Sequence, residues 1–461
     1  MANDYDLVLL GGGPGGYTAA IRAAQLGLKT AVVERDQLGG VCLNWGCIPS
    51  KALLRSAEVL RLFRRAGEFG ITYDNLQYDL GAAVDRSRKV VQKMVKGVAY
   101  LFKKNKIDLV RGTGRLTGPG EVVIDGDGQR LKAKSVIIAT GARAKDLPGL
   151  EADGSKIITS REALELREPP GSIAIIGGGA VGVEFAYYYR AYGSEVSIIE
   201  MLPHLLPTED EEISRQLERA LSRQGIAVKA GFTVERTERV NGRVKLTLGP
   251  AGEGGEVECD TVLLGVGVEP NSGDIGLEEL GVETDRGFVK IDDRMETNVA
   301  GVYAIGDVTG KMLLAHVASA QGVTAVEAIA GREPPPLAYE DMPRATYCQP
   351  QVASMGLTER AAQERGHEVK IGKFPFSANG KAVALGDSEG FVKIVADAKH
   401  GEILGAHLIG HDVTELLAEL SMARMLEGTV RELGKTVHAH PTMSEALMEA
   451  GLGAIGESLN V

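Results

Sequence analysis

Apolar residues in this chain fall into short unbroken runs, separated by glycine clusters and by stretches with apolar positions at helical spacing. A short unbroken run reads as a buried strand, and recurrence at i, i+3, i+4 and i+7 reads as a helix. On this basis residues 6–10 form a strand, 17–26 a helix closed by Gly27, and 29–33 a strand ending at Glu34. The same order returns as strand 172–176, helix 183–192 stopped by Gly193, and strand 195–199 ending at Glu200. Between these copies lie long helices at 53–66 and 80–104, β-like runs over 108–133 broken by Gly112, Gly114, Gly118 and Gly120, and a buried strand at 135–139. After the second copy come an amphipathic helix at 212–224, strands at 228–234 and 243–248, a β-like segment at 256–267, a strand over 301–307 and a helix at 314–330. Pro334, Pro335 and Pro336 mark a linker. Beyond it, β-like segments at 345–355, 368–375, 390–397 and 403–409 occur with helices between and after them, an α+β pattern.

Each strand–helix copy carries G-x-G-x-x-G at the strand end. The first is Gly11, Gly13 and Gly16, with Pro14 and Gly15 inside it; the second is Gly177, Gly179 and Gly182, with Ala180 and Val181 inside it. Such glycines let the backbone approach a pyrophosphate at a helix N-terminus. Glu34 and Glu200, each closing the following strand, suit a ribose 2′-OH. A carboxylate at Glu200 also repels a 2′-phosphate, so NAD is favoured over NADP on the second loop.

Residues 39–54 read GGVCLNWGCIPSKALL and hold two of the four cysteines. Cys42 is expected in irregular chain that Gly46 turns back, with Cys47 entering a helix that Pro49 and Ser50 suit. A helix N-terminus and Lys51, one turn on, both favour a thiolate at Cys47. A structural disulfide or two buried thiols would fit the bare spacing as well. Two dinucleotide loops beside a cysteine pair point instead to electron flow between two dinucleotides through a thiol couple.

Other residues keep two readings open. Glu184 reads as a surface or first-turn acid, or as an ion-pair partner of Lys51. Asp307 reads as a helix N-cap or as an acceptor for a sugar or ribitol hydroxyl. Thr140 and Gly141, at a strand end, allow close approach of a cofactor or form a plain turn. Cys259 reads as a strand thiol, and Cys348 as a buried thiol opening the 345–355 strand. His440 stands before Pro441, which disfavours helix there. Glu445, five residues on, makes His440 a plausible general base with its orienting carboxylate. A metal site is not expected, because no third imidazole or cysteine lies near in sequence.

Composition narrows the class. The chain has 461 residues, 44% hydrophobic and 25% charged, which suits a soluble globular protein of several domains. A net charge of −11 argues against nucleic-acid or anionic-membrane partners. Four cysteines in this length make no secreted disulfide framework. With neither a leader-like N-terminus nor a long apolar segment, a cytoplasmic enzyme with no membrane partner is the expectation.

Taken together these motifs resemble the flavoprotein pyridine-nucleotide–disulfide oxidoreductases over essentially the full length, and within them the dihydrolipoamide-oxidising members. The resemblance rests on residues 39–54, both glycine loops, Ala139-Thr140-Gly141, the GVYAIGD stretch at 301–307 and the HAHPTMSE stretch at 438–445. It implies an α/β fold with two Rossmann-like domains, for FAD and NAD, and a C-terminal α+β dimerisation domain. The implied boundaries are 1–146 for FAD, 147–270 for an inserted NAD domain, 271–340 for a central segment completing the FAD domain, and 341–461 for the interface domain. FAD is implied to contact the first loop, Glu34, Gly40, Val41, Lys51, Gly114, Thr140, Gly141, Gly306, Asp307, Leu313, Leu314, Ala315 and His316. NAD is implied to contact the second loop, Glu200, Val234 and Gly267. A Lys51–Glu184 pair is implied beside the flavin ring, a Cys42–Cys47 redox disulfide at the centre, and His440 reaching the disulfide of the other subunit in a homodimer. The implied reaction oxidises dihydrolipoamide, or a lipoyl domain of a 2-oxo-acid dehydrogenase acyltransferase, and reduces NAD⁺. The alternative is another NAD(P)-linked flavin disulfide reductase acting on a small thiol. The chain departs from the family in the segment 318–322, which usually carries more acids, at Gln351, where Glu is common, and at Ala180, where relatives often carry a gating tyrosine.

Overall fold

A computed structural model describes residues 3–126, 128–250 and 253–460. The chain divides into two compact units. One comprises residues up to Leu53, Gly81–Lys145 and Gly267–Tyr339; the other comprises Leu54–Leu80, Asp146–Val266 and from Glu340 onward.

The first unit is built on a seven-stranded sheet. Its order is Asp108–Arg111, Thr30–Glu34, Asn3–Leu10, Arg130–Ile138, Glu121–Ile124 and Gly114–Gly118, with Val302–Ala304 also pairing Arg130–Ile138. The pairs that join Asn3–Leu10, Thr30–Glu34, Asp108–Arg111, Arg130–Ile138 and Val302–Ala304 are parallel, so each needs a crossover connection rather than a tight turn. Side chains alternate between two cores, as period-two geometry requires. Leu7 and Leu9 pack with Ala19, Ala20, Ala23, Phe102 and Val326 on the helical side. Val8 and Leu10 pack with Leu116, Val122, Ile275 and Val302 on the other. The helices Pro14–Gln25 and Ala315–Ile329 touch backbone to backbone: a Cβ on Gly15 would stand 3.0 Å from the Ala318 carbonyl oxygen, and one on Gly322 would stand 2.8 Å from that of Gly15.

The second unit repeats this plan in a five-stranded parallel sheet: Ile226–Ala230, Glu195–Glu200, Ser172–Ile176, Thr261–Leu264 and Ile157–Ile158. A three-stranded antiparallel sheet, Thr233–Val240, Arg243–Gly249 and Glu256–Cys259, packs its apolar face on the same core. The C-terminal part is a five-stranded antiparallel sheet ordered Arg344–Thr346, Gln351–Gly356, Ile403–Gly410, Phe391–Asp397 and Val369–Pro375, over which Glu445–Ala454 packs.

Three apolar runs that look continuous are divided. The 228–234 run turns at Gly231 (φ +83°) and leaves one sheet for another. Its continuation to Val240 is a mostly exposed strand without apolar alternation, which periodicity does not detect. The 256–267 run breaks at Asp260, whose carboxylate accepts from the backbone N–H and the hydroxyl of Ser172. The 345–355 run is a hairpin; Cys348 lies in its turn rather than opening a strand, beside Pro350, which has no N–H to give a ladder.

One buried ion cluster ties the C-terminal sheet to the helix Glu211–Arg223. Lys393, 1% exposed, donates to Asp210 at 3.0 Å and Glu212 at 2.9 Å, and pairs with Glu359 at 2.7 Å. Burial alone would lower the Lys393 ammonium, but these carboxylates raise it. Lys393→Met strands buried Asp210 and is expected to cost ~3 kcal/mol, read from the denaturant midpoint. Glu212 and Glu359 keep partial access to water, which places the cost at the low end of that range.

Candidate functional site

The redox segment begins at two glycines with positive φ, Gly39 (+95°) and Gly40 (+56°). Gly39 N donates to Gly12 O at 2.8 Å, and a Cβ on Gly40 would meet Gly13 Cα at 2.8 Å. The cysteine segment is therefore laid directly on the first glycine loop. Cys42 is not in irregular chain: Gly40–Trp45 is a six-residue helix, and the break falls after it, at Gly46. Cys47 is the first residue of the helix Cys47–Arg64, where the dipole favours an anion. Asn44 holds the short helix from within, its Nδ2 donating to Leu38 O at 3.0 Å and Gly40 O at 2.9 Å.

The two sulfurs are unbonded and hydrogen-bonded to one another. That bond to Cys47, followed by burial and the negative charge of Cys47, raises the Cys42 thiol far above its ordinary value. Cys42 is thus the sulfur disposed to keep its proton. Burial does not separate them, since both are half-buried. Tyr17, one residue beyond the first fingerprint, feels both sulfurs; burial first, then their charge, raises its phenol. Pattern reading of the sequence does not single out Tyr17, although its place directly after Gly16 is a usable signal.

The two glycine loops are geometric copies. Gly11 (φ +109°) and Gly177 (φ +106°) lie where a Cβ would stand 2.3 Å from Ala139 O and 2.4 Å from Gly265 O respectively. A Cβ on Gly16 would fall 2.0 Å from Gly11 O, and one on Gly182 would fall 1.9 Å from Gly177 O. Glu34 accepts from Gly12 N at 2.8 Å and Asp36 N at 2.8 Å; Glu200 accepts from Gly178 N at 2.6 Å and Leu202 N at 2.7 Å. Each carboxylate therefore braces its loop. At Gly179, by contrast, a Cβ would meet nothing within 4 Å, which leaves approach to this loop open.

The first unit fits a flavin dinucleotide on its own chemistry. Thr140 Oγ1 is buried without a hydrogen-bond partner, and burial raises the Asp307 carboxyl. Both want hydroxyl or amide groups opposite them. Asp307 is not the N-cap of the following helix; that place is Leu314, and Asp307 lies in the 3₁₀ turn Gly306–Thr309. Gln321 is the brace for this turn, accepting from Gly306 N at 2.6 Å and donating to Tyr339 Oη at 2.9 Å. Val41 and Leu313 are exposed apolar side chains in the same unit. Gly114 serves packing, since a Cβ there would stand 2.7 Å from Leu10 Cδ2.

Other expected residues separate by unit. Lys51 and Gly267 belong to the first; Glu184, Glu200 and Val234 belong to the second. Glu184 is no surface acid: it is 7% exposed and accepts from Tyr347 N at 2.9 Å. Val234 packs on the apolar core of its sheet.

His440 and Glu445 do meet. His440 Nδ1 lies 2.9 Å from Glu445 Oε1, and Glu445 Oε2 accepts from Thr442 N at 2.8 Å. The Thr442 N–H, more than any other group, holds Glu445 below the usual carboxylate value, with His440 adding to it. An ionised Glu445 can only accept, so Nδ1 donates and Nε2 is left as a base on a ring that is 79% exposed. His438 is turned away, between Thr436 O (2.9 Å) and Glu419 Oε1 (2.7 Å). Among the described residues no group of three His, Cys, Asp or Glu side chains could hold a metal ion, and no helix is long and apolar enough to cross a membrane.

Comparison with known proteins covers the whole chain. The pattern described as "Pyridine nucleotide-disulphide oxidoreductase" matches residues 5–322, and the dimerisation domain of the same family matches 342–451. The chain is 49% identical to the dihydrolipoyl dehydrogenase of Chlorobaculum tepidum over 459 residues, covering 99% of this chain and 98% of that one. It is 49% identical to that of Mycobacterium leprae over 465 residues, covering 99% of each. Among solved structures it resembles LpdA from Mycobacterium tuberculosis (TM-score 0.90, 27% identity, covering 96% of this chain and 98% of that one). It also resembles the HOCl-induced flavoprotein disulfide reductase RclA from Escherichia coli (TM-score 0.86, 26% identity, covering 96% and 98%). The chain belongs to the pyridine nucleotide-disulphide oxidoreductases and, within them, to the family of its dihydrolipoyl dehydrogenase relatives.

Proposed function

We propose that this chain is an NAD-dependent dihydrolipoyl dehydrogenase working as a homodimer. The observation that carries the reading is the hydrogen-bonded Cys42–Cys47 pair, with Cys47 at a helix N-terminus and its segment laid on a dinucleotide loop. A thiolate of dihydrolipoamide attacks Cys42 of the oxidised pair; a new S–S bond forms and Cys47 leaves as a thiolate. The second substrate thiol then attacks the substrate sulfur of that mixed disulfide, which releases cyclic lipoamide and Cys42. His440 of the partner subunit takes the substrate proton at Nε2, and Glu445 of the partner subunit fixes its tautomer and stabilises the imidazolium. Bound FAD supplies the two-electron passage from the dithiol to NAD⁺.

In this reading Gly11, Gly13, Pro14, Gly15 and Gly16 hold the FAD pyrophosphate, Glu34 its ribose and Asp307 its ribitol. Gly40, Val41, Lys51, Gly114, Thr140, Gly141, Gly306 and Leu313 to His316 line the rest, and Glu184 serves the flavin side of the reaction. Gly177, Gly179, Ala180, Val181 and Gly182 hold NAD, with Glu200, Val234 and Gly267 around it. The domains follow as 1–146 and 271–340 for FAD, 147–270 for NAD and 341–461 for the interface. The physiological substrate is a lipoyl domain on the acyltransferase of a cytoplasmic 2-oxo-acid dehydrogenase complex. Co-purification with such a core tests the last point, and failure to bind it removes that partner.

Steady-state rates with dihydrolipoamide and NAD⁺, set against reduced glutathione and related thiols, test the activity. No turnover of dihydrolipoamide overturns it in favour of another disulfide reductase. Gly182→Ala puts a methyl into Gly177 O and is expected to raise the KM for NAD⁺ more than about tenfold, a loss of ~1.4 kcal/mol. Flavin absorbance of the purified variant should stay at the wild-type level.

A further inference from the structure

We propose that Arg88 is a positioning residue for the redox pair: it clamps the turn between Cys42 and Cys47 and thereby sets the equilibrium between dithiol and disulfide. The proposal rests on the redox role given to that pair above. Arg88 lies on the long helix Leu80–Lys104. Its NH1 donates to Asn44 O at 2.9 Å, and its guanidinium lies over the Trp45 ring, 5.4 Å from the centroid. Asn44 and Trp45 are the last two residues of the short helix that carries Cys42. Asn44 O is among the carbonyls that a helix C-terminus leaves without an internal partner, and a cation suits that end of the dipole. Two residues earlier on the long helix, Arg86 NH1 donates to Ala52 O at 3.0 Å, on the helix that Cys47 opens. The long helix thus grips the chain on both sides of Gly46, the break between the two cysteine-bearing helices. From within, Asn44 Nδ2 is already fixed to Leu38 O and Gly40 O. With Arg88 in place, Asn44 is held at both its side chain and its carbonyl.

Two effects of Arg88 oppose each other, so the sign of the result identifies the cause. Holding the turn keeps the thiols near bonding distance, which favours the disulfide. A positive charge near the pair stabilises thiolate, which favours the reduced form. The contacts of Arg88 with this turn are to a carbonyl and a ring face, which hold the chain itself, so positioning is expected to prevail.

The test uses the flavin-loaded enzyme equilibrated in dithiothreitol redox buffers. Cys42 and Cys47 lose two electrons and two protons to oxidised dithiothreitol, and alkylation followed by mass spectrometry counts the thiols. Arg88→Ala is expected to move the equilibrium about tenfold toward the dithiol, ~30 mV more positive. Arg88→Lys keeps the charge but not the planar contact with Trp45, and should fall between wild type and Arg88→Ala. Trp45 is the sole tryptophan, so acrylamide quenching of its emission should rise in the same order. An unchanged or more negative potential in a variant that still turns over dihydrolipoamide overturns the clamp and leaves the proposed activity standing. Should Arg88→Ala not fold, Trp45→Leu removes the stacking alone and must shift the potential in the same direction; no shift there also overturns it. Absence of dihydrolipoamide turnover in the wild-type enzyme instead removes the reading on which the proposal stands.

Discussion

Replacing Cys47 by serine is expected to abolish turnover of dihydrolipoamide while leaving flavin bound. Serine keeps the size and the helix N-terminal position, so Cys47–Arg64 still forms. It cannot form the disulfide on which substrate attack depends, nor present a thiolate at neutral pH. Cys42 should change too. Its thiol is raised first by its hydrogen bond to Cys47, and the charge of Cys47 raises it further; a neutral hydroxyl removes that charge. Cys42 should therefore ionise at lower pH in Cys47→Ser, seen as alkylation by iodoacetamide extending further toward neutral pH. The checks are the steady-state rate, flavin absorbance of the purified variant, and the long-wavelength thiolate–flavin band on reduction, which should vanish. Full turnover would remove Cys47 from the mechanism.

The second large effect is expected at His440. His440→Gln should lower kcat for dihydrolipoamide by ~10²–10⁴-fold, the usual worth of a positioned general base. The side chain is 79% exposed, so folding and flavin content should hardly change. A lost rate at wild-type flavin content separates base from scaffold. Glu445 orients that imidazole. Its carboxyl is held below the ordinary value, so its support of His440 is complete above the usual carboxylate range and is lost only as pH falls through the lowered value. Glu445→Gln should reduce kcat less, about tenfold, because Gln can still accept from Nδ1 but without charge. Equal rates for wild type and His440→Gln across pH would exclude His440 as the base.

The duplicated loops explain why one chain handles two dinucleotides. Each glycine pattern solves the same problem, a carbonyl standing where a Cβ would be, and each closing glutamate braces the loop through two backbone N–H groups. The carboxylates are thus occupied by their own chain, and in the proposed function a ribose hydroxyl would share an acceptor that is already oriented.

Much of this was legible in sequence because the determinants are local. Strand, glycine loop, helix and closing acid occupy neighbouring residues, and backbone sterics admit only glycine at Gly11, Gly16, Gly177 and Gly182. His440 and Glu445 lie across one turn, so their spacing and Pro441 sufficed. Only tertiary structure decided what depends on partners distant in the chain. Which part of an apolar run leaves its sheet was set by Asp260 finding Ser172 and by Gly231 turning the strand. Glu184 is buried by the fold, and Tyr347, far along the chain, donates to it there. Gln321, in a segment that departs from the family pattern, becomes the brace of the Asp307 turn because Tyr339 and Gly306 meet it. Arg88 reads as one cation in a basic helix until the fold sets it on Asn44 and Trp45. Sequence determines the groups that act through their own turn of chain; packing alone assigns a role to a charge whose partner is brought to it by folding.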